Sequence, residues 1–190
     1  MKKAVVFFAD GFEEVEALSP VDYLRRAGVE VTMVSIGNGS RSVTGAHKIT
    51  VTADISLDSY LSSGQELPDA VVIPGGMPGA SNIASCRQAL SFIEQMYSNK
   101  KLVAAICASP AVVLGQTCVL KGKKWTCYPG MSEIAKDYTQ GHVDNVPFVE
   151  DGNLITGRGP GAAEEFSMVI VKYLVGQETY ESVKKASCQR

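Results

Sequence analysis

Of the five cysteines in the chain, Cys107 has the surroundings best suited to a nucleophile. It follows the apolar run "KLVAAI" and precedes "ASPAVVLGQ". The first segment has the continuous apolar character of a strand buried on both faces. The second reads as a helix with Ser109 as its N-cap and Pro110 at its first helical position. Cys107 is therefore expected in a strand-to-helix turn. Unpaired backbone N–H groups at the start of a helix favour a thiolate over a thiol. The small neighbours Ala105, Ala108 and Ser109 would admit a substrate. Such a sulfur can add to an electrophilic carbon, and it is also open to oxidation.

Nucleophilic chemistry needs a group to move protons, and the stretch "DGFEEVEAL" offers Glu13, Glu14 and Glu16. All three fall in the first turns of an expected helix, where carboxylates complement the helix dipole. Glu13 and Glu16 share a face and Glu14 points elsewhere, so spacing leaves the choice between Glu13 and Glu16 open. In "VIPGGMPGA", Gly75 and Gly76 follow an apolar run, which lets backbone N–H groups approach a ligand closely. Neither GxGxxG nor a P-loop lysine accompanies them, and the GxGxxG-like "GRGPGA" is interrupted by Pro160. The two histidines, His47 and His142, stand in polar contexts and read as surface or loop residues. No metal site and no cofactor are expected.

These residues need a frame to hold them, and the patterning supplies one. Apolar runs ("AVVFFA", "EVTMVSI", "ITVTAD", "AVVIPGG", "KLVAAI") alternate with helical stretches such as "EEVEALSPVDYLRRAG" and "SCRQALSFIEQMYSNK". This is the pattern of an α/β fold, a mostly parallel sheet with helices on both faces. Sites in such sheets lie at the carboxyl ends of the strands. The runs ending in "FADGFEE", "IPGGMPG" and "ICASP" would therefore converge if they are neighbours. Farther on, "NVPFVEDGNLITG" reads as an appended β-hairpin turning at Asp-Gly, and residues 162–175 as a buried helix ended by Gly176.

With 190 residues, 45% of them hydrophobic and 20% charged, the chain suits one domain over 1–190. A formal net charge of −2 gives no footing for nucleic acid or an anionic membrane surface, and the cluster "KGKK" reads as a solvated loop. The apolar run after "MKK" breaks at Asp10, unlike a signal peptide, and nothing approaches the roughly 20 apolar residues of a spanning helix. An odd number of cysteines without a CxxC pair suits a reducing, cytoplasmic setting.

Taken together, "EEVEALSPVDYLRRAG", "DAVVIPGGMPGA", "LVAAICASPA", "ITGRGPG" and "EEF" resemble the ThiJ/PfpI superfamily in order and spacing, nearly end to end. The resemblance implies a flavodoxin-like three-layer sandwich and a homodimer. It places Cys107 as a reactive thiolate on a strained elbow and selects Glu16 as the protonated partner carboxyl. Gly75, Gly76 and the backbone of Ala108 would line the oxyanion side of the pocket. Arg158, Gly159 and Pro160 would form a wall near the dimer contact. Two positions depart from related patterns: Ala108 stands where a Cys-His peptidase has histidine, and Tyr128 replaces a pocket histidine, leaving Glu16 as the acid/base candidate. The implied activity is conversion of methylglyoxal or glyoxal to the hydroxy acid without glutathione, or release of glycation adducts from amines and thiols. The alternative is a protective or chaperone protein that senses oxidative stress through oxidation of Cys107 to sulfinate.

Overall fold

The computed structural model describes residues 1–37 and 39–189. Five parallel strands form its centre: β1 (Lys3–Phe8), β2 (Glu30–Ser35), β6 (Ala70–Ile73), β7 (Leu102–Ile106) and β9 (Leu154–Gly157). Across the sheet they run β2-β1-β6-β7-β9, and the short β5 (Ile55–Ser56) extends the β2 edge in parallel. β8 (Phe148–Asp151) closes the opposite edge antiparallel to β9, as the Asp-Gly turn predicts. The five central strands thus have the flavodoxin-like order 2-1-3-4-5.

That order reverses direction at β1. Right-handed crossovers then send successive helices to opposite faces. α1 (Glu14–Arg26) and α6 (Ala163–Ala186) pack together on one face, and α4 (Arg87–Ser98) covers β6 and β7 on the other, beside α2 (Leu57–Ser62). The aromatic pairs Phe7–Phe92 and Tyr60–Phe92, both with centroids 5.9 Å apart, bind this second face together. β6 and β7 are buried along their whole length, which explains their unbroken apolar sequences. No helix among the described residues is long and apolar enough to cross a membrane.

Three local readings are corrected. "ITVTAD" does not enter the main sheet: β4 (Thr50–Thr52) pairs antiparallel with β3 (Ser42–Thr44) in a separate two-stranded ribbon. Its Thr-rich, half-exposed residues suit a ribbon over the sheet's end better than a buried layer. The helix after Cys107 is one turn, α5 (Ser109–Val112), with Ala108 at the N-cap. Ser109 is already helical, and its hydroxyl donates to the Pro74 carbonyl at 2.6 Å instead of capping. Finally, Gly176 interrupts α6 as expected, but the chain resumes helical structure to Ala186.

The break at Gly176 has a backbone cause. Its φ of 87° and ψ of 174° lie in a region accessible essentially only to glycine. Apart from its chain neighbours and the adjoining backbone of α6, no atom lies within 4 Å of where a Cβ would be, so conformation rather than crowding sets the preference. Gly176→Ala is expected to lose about 1–3 kcal/mol of stability by that strain. Equilibrium denaturation measures this directly, and an unchanged midpoint would mean that the joint relaxes freely.

Candidate active site

The neighbouring carboxyl ends of β1, β6 and β7 bring three turns together. The first leads into α1, the second is Pro74-Gly75-Gly76, and the third is Cys107 itself. Cys107 has φ 65°, a left-handed conformation uncommon for a residue with a side chain. Its N–H donates to the Gly157 carbonyl at 2.9 Å and its carbonyl accepts from Tyr128 N–H at 2.8 Å. The Ser109–Pro74 bond ties the same elbow to the glycine turn. Fixed bonds on several sides are what a strained residue needs to persist, at a cost of order 1–3 kcal/mol.

Glu16 lies under this elbow, fully buried. Its Oε2 accepts the Gly75 N–H at 2.9 Å. A Cβ on Gly75 would fall 2.7 Å from Cys107 Cβ and 2.8 Å from Glu16 Oε2, so only glycine lets the turn pass between them. Glu16 Oε1 is buried with no hydrogen-bond partner among the described residues. An ionised carboxylate is badly served there, and burial raises the carboxyl's pKa from 4.5 to about 7. Hydrogen bonds from Cys107 and from Gly75 N–H oppose that rise, and the charge of Glu13 adds to it. The neutral acid relieves the unpaired oxygen.

Burial, then the charge of Glu16 and its hydrogen bond, push the Cys107 thiol up to about 12. Backbone N–H groups of Gly76 and Ala108 pull the other way. α5 is a single turn, and burial together with the charge of Glu16 opposes the pull of its N–H groups on the thiol. The partner carboxyl decides the balance. When Glu16 carries the proton, its charge no longer opposes the thiolate, and its O–H can donate to the sulfur.

The expected site residues fall into two groups. Gly75, Gly76, Ala108 and Glu16 surround the Cys107 side chain, though the Gly75 N–H is engaged by Glu16 and so does not serve an oxyanion. Tyr128, Arg158, Gly159 and Pro160 line a neighbouring cavity of about 390 Å³. The two are joined through the Cys107 backbone, which bonds to Tyr128 on one side and to Gly157 on the other.

Glu14 points away from the face shared by Glu13 and Glu16, and it is buried: its Oε1 accepts His47 N–H at 2.7 Å while Oε2 lies 2.8 Å from His47 Nδ1. These bonds outweigh burial and hold its pKa below the usual carboxylate value. The bond to Glu14, with the charge of Glu13, raises that of His47. Among the described residues, Glu13, Glu14 and His47 form the one grouping with the geometry to hold a metal ion. Glu14 and the His47 ring already engage one another, which makes the grouping a clamp between α1 and the ribbon. His142 is also not a surface residue. It packs edge-on to Trp125, centroids 5.0 Å apart, and its Nε2 lies 3.7 Å from the buried Cys127 Sγ. The backbone bridge between Trp125 and His142 makes that approach, which no sequence spacing revealed.

A flavodoxin-like sheet with a cysteine on a strained elbow, a buried carboxyl beneath it and a glycine turn between them defines a cysteine-centred α/β site. Comparison with known proteins is consistent with this. A model of the DJ-1/PfpI family matches residues 2–173, and the chain belongs to that family. It is 38% identical over 183 residues to protein DJ-1 homolog B of Arabidopsis thaliana, covering 96% of this chain and 40% of that protein, so it spans about two fifths of that relative's length. It is 31% identical over 174 residues to a deglycase of Pyrococcus abyssi, covering 90% of this chain and 99% of the relative. The crystal structure of Drosophila melanogaster DJ-1beta superposes with a TM-score of 0.90 at 37% identity, covering 98% of this chain and 97% of that one.

The coupling of the two groups has a sign that can be measured. Glu16→Gln removes the charge that raises the thiol, so the pH midpoint for alkylation of Cys107 by iodoacetamide is expected to fall below the wild-type value. Stability gives a second readout. A carboxyl raised from 4.5 to about 7 on folding binds more protons in the native state, so its contribution declines as pH rises across that interval, by up to about 3 kcal/mol. Glu16→Gln should therefore gain on the wild type between pH 5 and 8 in thermal unfolding. A constant difference over that range would contradict the assignment.

Proposed function

We propose that the chain is a cysteine-dependent enzyme of reactive carbonyls, converting methylglyoxal or glyoxal to lactate or glycolate without glutathione, or acting on their adducts with amines and thiols. The observation that carries this reading is the buried Glu16 carboxyl set against Cys107 on its elbow. The sulfur adds to the aldehyde carbon to form a hemithioacetal, and the N–H groups of Gly76 and Ala108, which face the sulfur, stabilise the oxyanion. Glu16 then carries a proton from the aldehyde carbon to its neighbour. That neighbour is reduced to an alcohol while the aldehyde carbon is oxidised to a thioester, so no outside oxidant is needed. Water hydrolyses the thioester and restores the thiol.

A carboxyl poised at about 7 suits both giving and taking a proton near neutral pH. Family membership and the similarity to a protein named a deglycase support the class of reaction. The same pair would also hydrogen-bond a sulfinate, so an oxidation-sensing protein uses identical residues. Turnover separates the two. Metal-free protein is expected to convert methylglyoxal over many cycles, Cys107→Ala to be inactive, and Glu16→Gln to lose about 10²- to 10⁴-fold in rate. If Cys107 is readily oxidised by limiting peroxide while the wild type turns over nothing, the sensing reading replaces the enzymatic one.

We further propose that the working form is a homodimer. Val15 on α1 and Ile49 beside the ribbon, apolar side chains about half exposed, support this, since a partner's surface would cover them. Light scattering is expected to give twice the chain mass at micromolar concentration, and a monomer would refute it.

A further inference from the structure

The start of α1 and the loop between β3 and β4 converge on a second cluster, one that does not touch Cys107. Glu13 Oε2 and Glu14 Oε2 lie 3.4 and 2.8 Å from a single atom, His47 Nδ1. The two carboxylate side chains are 13% and 6% exposed and the imidazole 68%, so the cluster has a shielded floor and an open mouth. Glu14 is fixed from behind. Its Oε1 accepts the N–H groups of His47 and, at 3.4 Å, of Ile49, which leaves Oε2 aimed at the ring. Gly45 presses on the same carboxyl, where a Cβ would fall 2.8 Å from Glu14 Cγ and nearer still to Oε1. Glu13 has no such support: its carboxylate makes no hydrogen bond among the described residues, and its one ionic contact is the long approach to His47.

Two carboxylates with little exposure thus share one imidazole, which can neutralise only one of them. A divalent cation neutralises both. The spacing suits such an ion: with metal–ligand bonds of roughly 2.0–2.2 Å, neighbouring donors in tetrahedral or octahedral coordination lie about 3.0–3.5 Å apart. The donor atoms of the three residues all lie within 4.8 Å of one another. The backbone bonds to Glu14 Oε1 are the outer support that holds a ligating carboxylate in place. We propose that Glu13, Glu14 and His47 bind a divalent transition-metal ion of the zinc class through their Oε2, Oε2 and Nδ1 atoms. The imidazole disfavours Mg2+ and Ca2+, which take oxygen ligands, and the want of a thiolate disfavours soft ions such as Cu(I). The ion takes the place of the proton between Nδ1 and Glu14. The protonated ring releases that proton to water and keeps the one on Nε2. Water completes the coordination on the exposed side. The ion's role is structural: it ties the start of α1 to the ribbon and, through the Glu13 N–H that donates to the Gly75 carbonyl at 3.0 Å, steadies the glycine turn.

Co2+ is the probe, because its absorption spectrum reports which atoms it binds. Titrated into the wild-type protein, it is expected to bind in a one-to-one ratio and to give the visible bands of oxygen and nitrogen ligands without the near-ultraviolet band of a thiolate. It should also raise the unfolding temperature as its concentration rises, since it binds only the folded chain. His47→Ala, at an exposed position, and Glu13→Gln should each weaken binding at least about 10-fold. The two changes are made separately, so the test stands if one variant folds poorly. No binding at millimolar Co2+, a thiolate band, or unchanged affinity in a folded variant overturns the proposal.

Discussion

A carboxyl with no exposure to water is the constraint around which the rest of the site is arranged. Burying an ionisable group is costly unless it is paired or neutral. Glu16 receives one backbone N–H and a thiol, too little to hold a full negative charge, and so it keeps its proton into the neutral range. That shortage of partners is useful. A carboxylate with every lone pair satisfied would be a permanent anion and would suppress the neighbouring thiolate.

The sheet maintains this arrangement from below. Glu16 sits on α1, whose helical hydrogen bonding is interrupted by Pro20, a residue that cannot donate to the carbonyl four positions earlier, that of Glu16 itself. Cys107 and the glycine turn come from β7 and β6, adjacent parallel strands in register from Ala70–Leu102 to Ile73–Ala105. Strands so completely buried are held in register by close packing on both faces, where a shifted side chain would meet a space of the wrong size. The distance between the Cys107 thiol and the Glu16 carboxyl therefore depends on a rigid layer, although both groups sit at its rim.

Much of this architecture was legible in the residues. The runs "AVVFF", "AVVI" and "LVAAI" declare buried parallel strands because both faces must be apolar, and the small residues and proline after Cys107 declare a tight turn. Glu16 could not be told from Glu13 by spacing, since the two share a helix face and differ only in what lies above them. That difference comes from the Pro74-Gly75-Gly76 turn, nearly sixty positions away. Glu14 and His47 escaped for a similar reason: their bond spans from α1 to the loop joining β3 and β4, and only the ribbon's return over the helix start creates it. At Cys107 the helix terminus is visible in the sequence, whereas the desolvation that opposes it is not.

The interruption at Gly176 has a bearing on how such a chain can diversify. The joint lies between the last buried turns of α6 and a helical segment that runs on to Ala186. A glycine hinge with nothing beyond its own helix packed around it passes little mechanical stress from one side to the other. Changes past this point would therefore reach the rim that holds Cys107 and Glu16, built entirely upstream, only weakly.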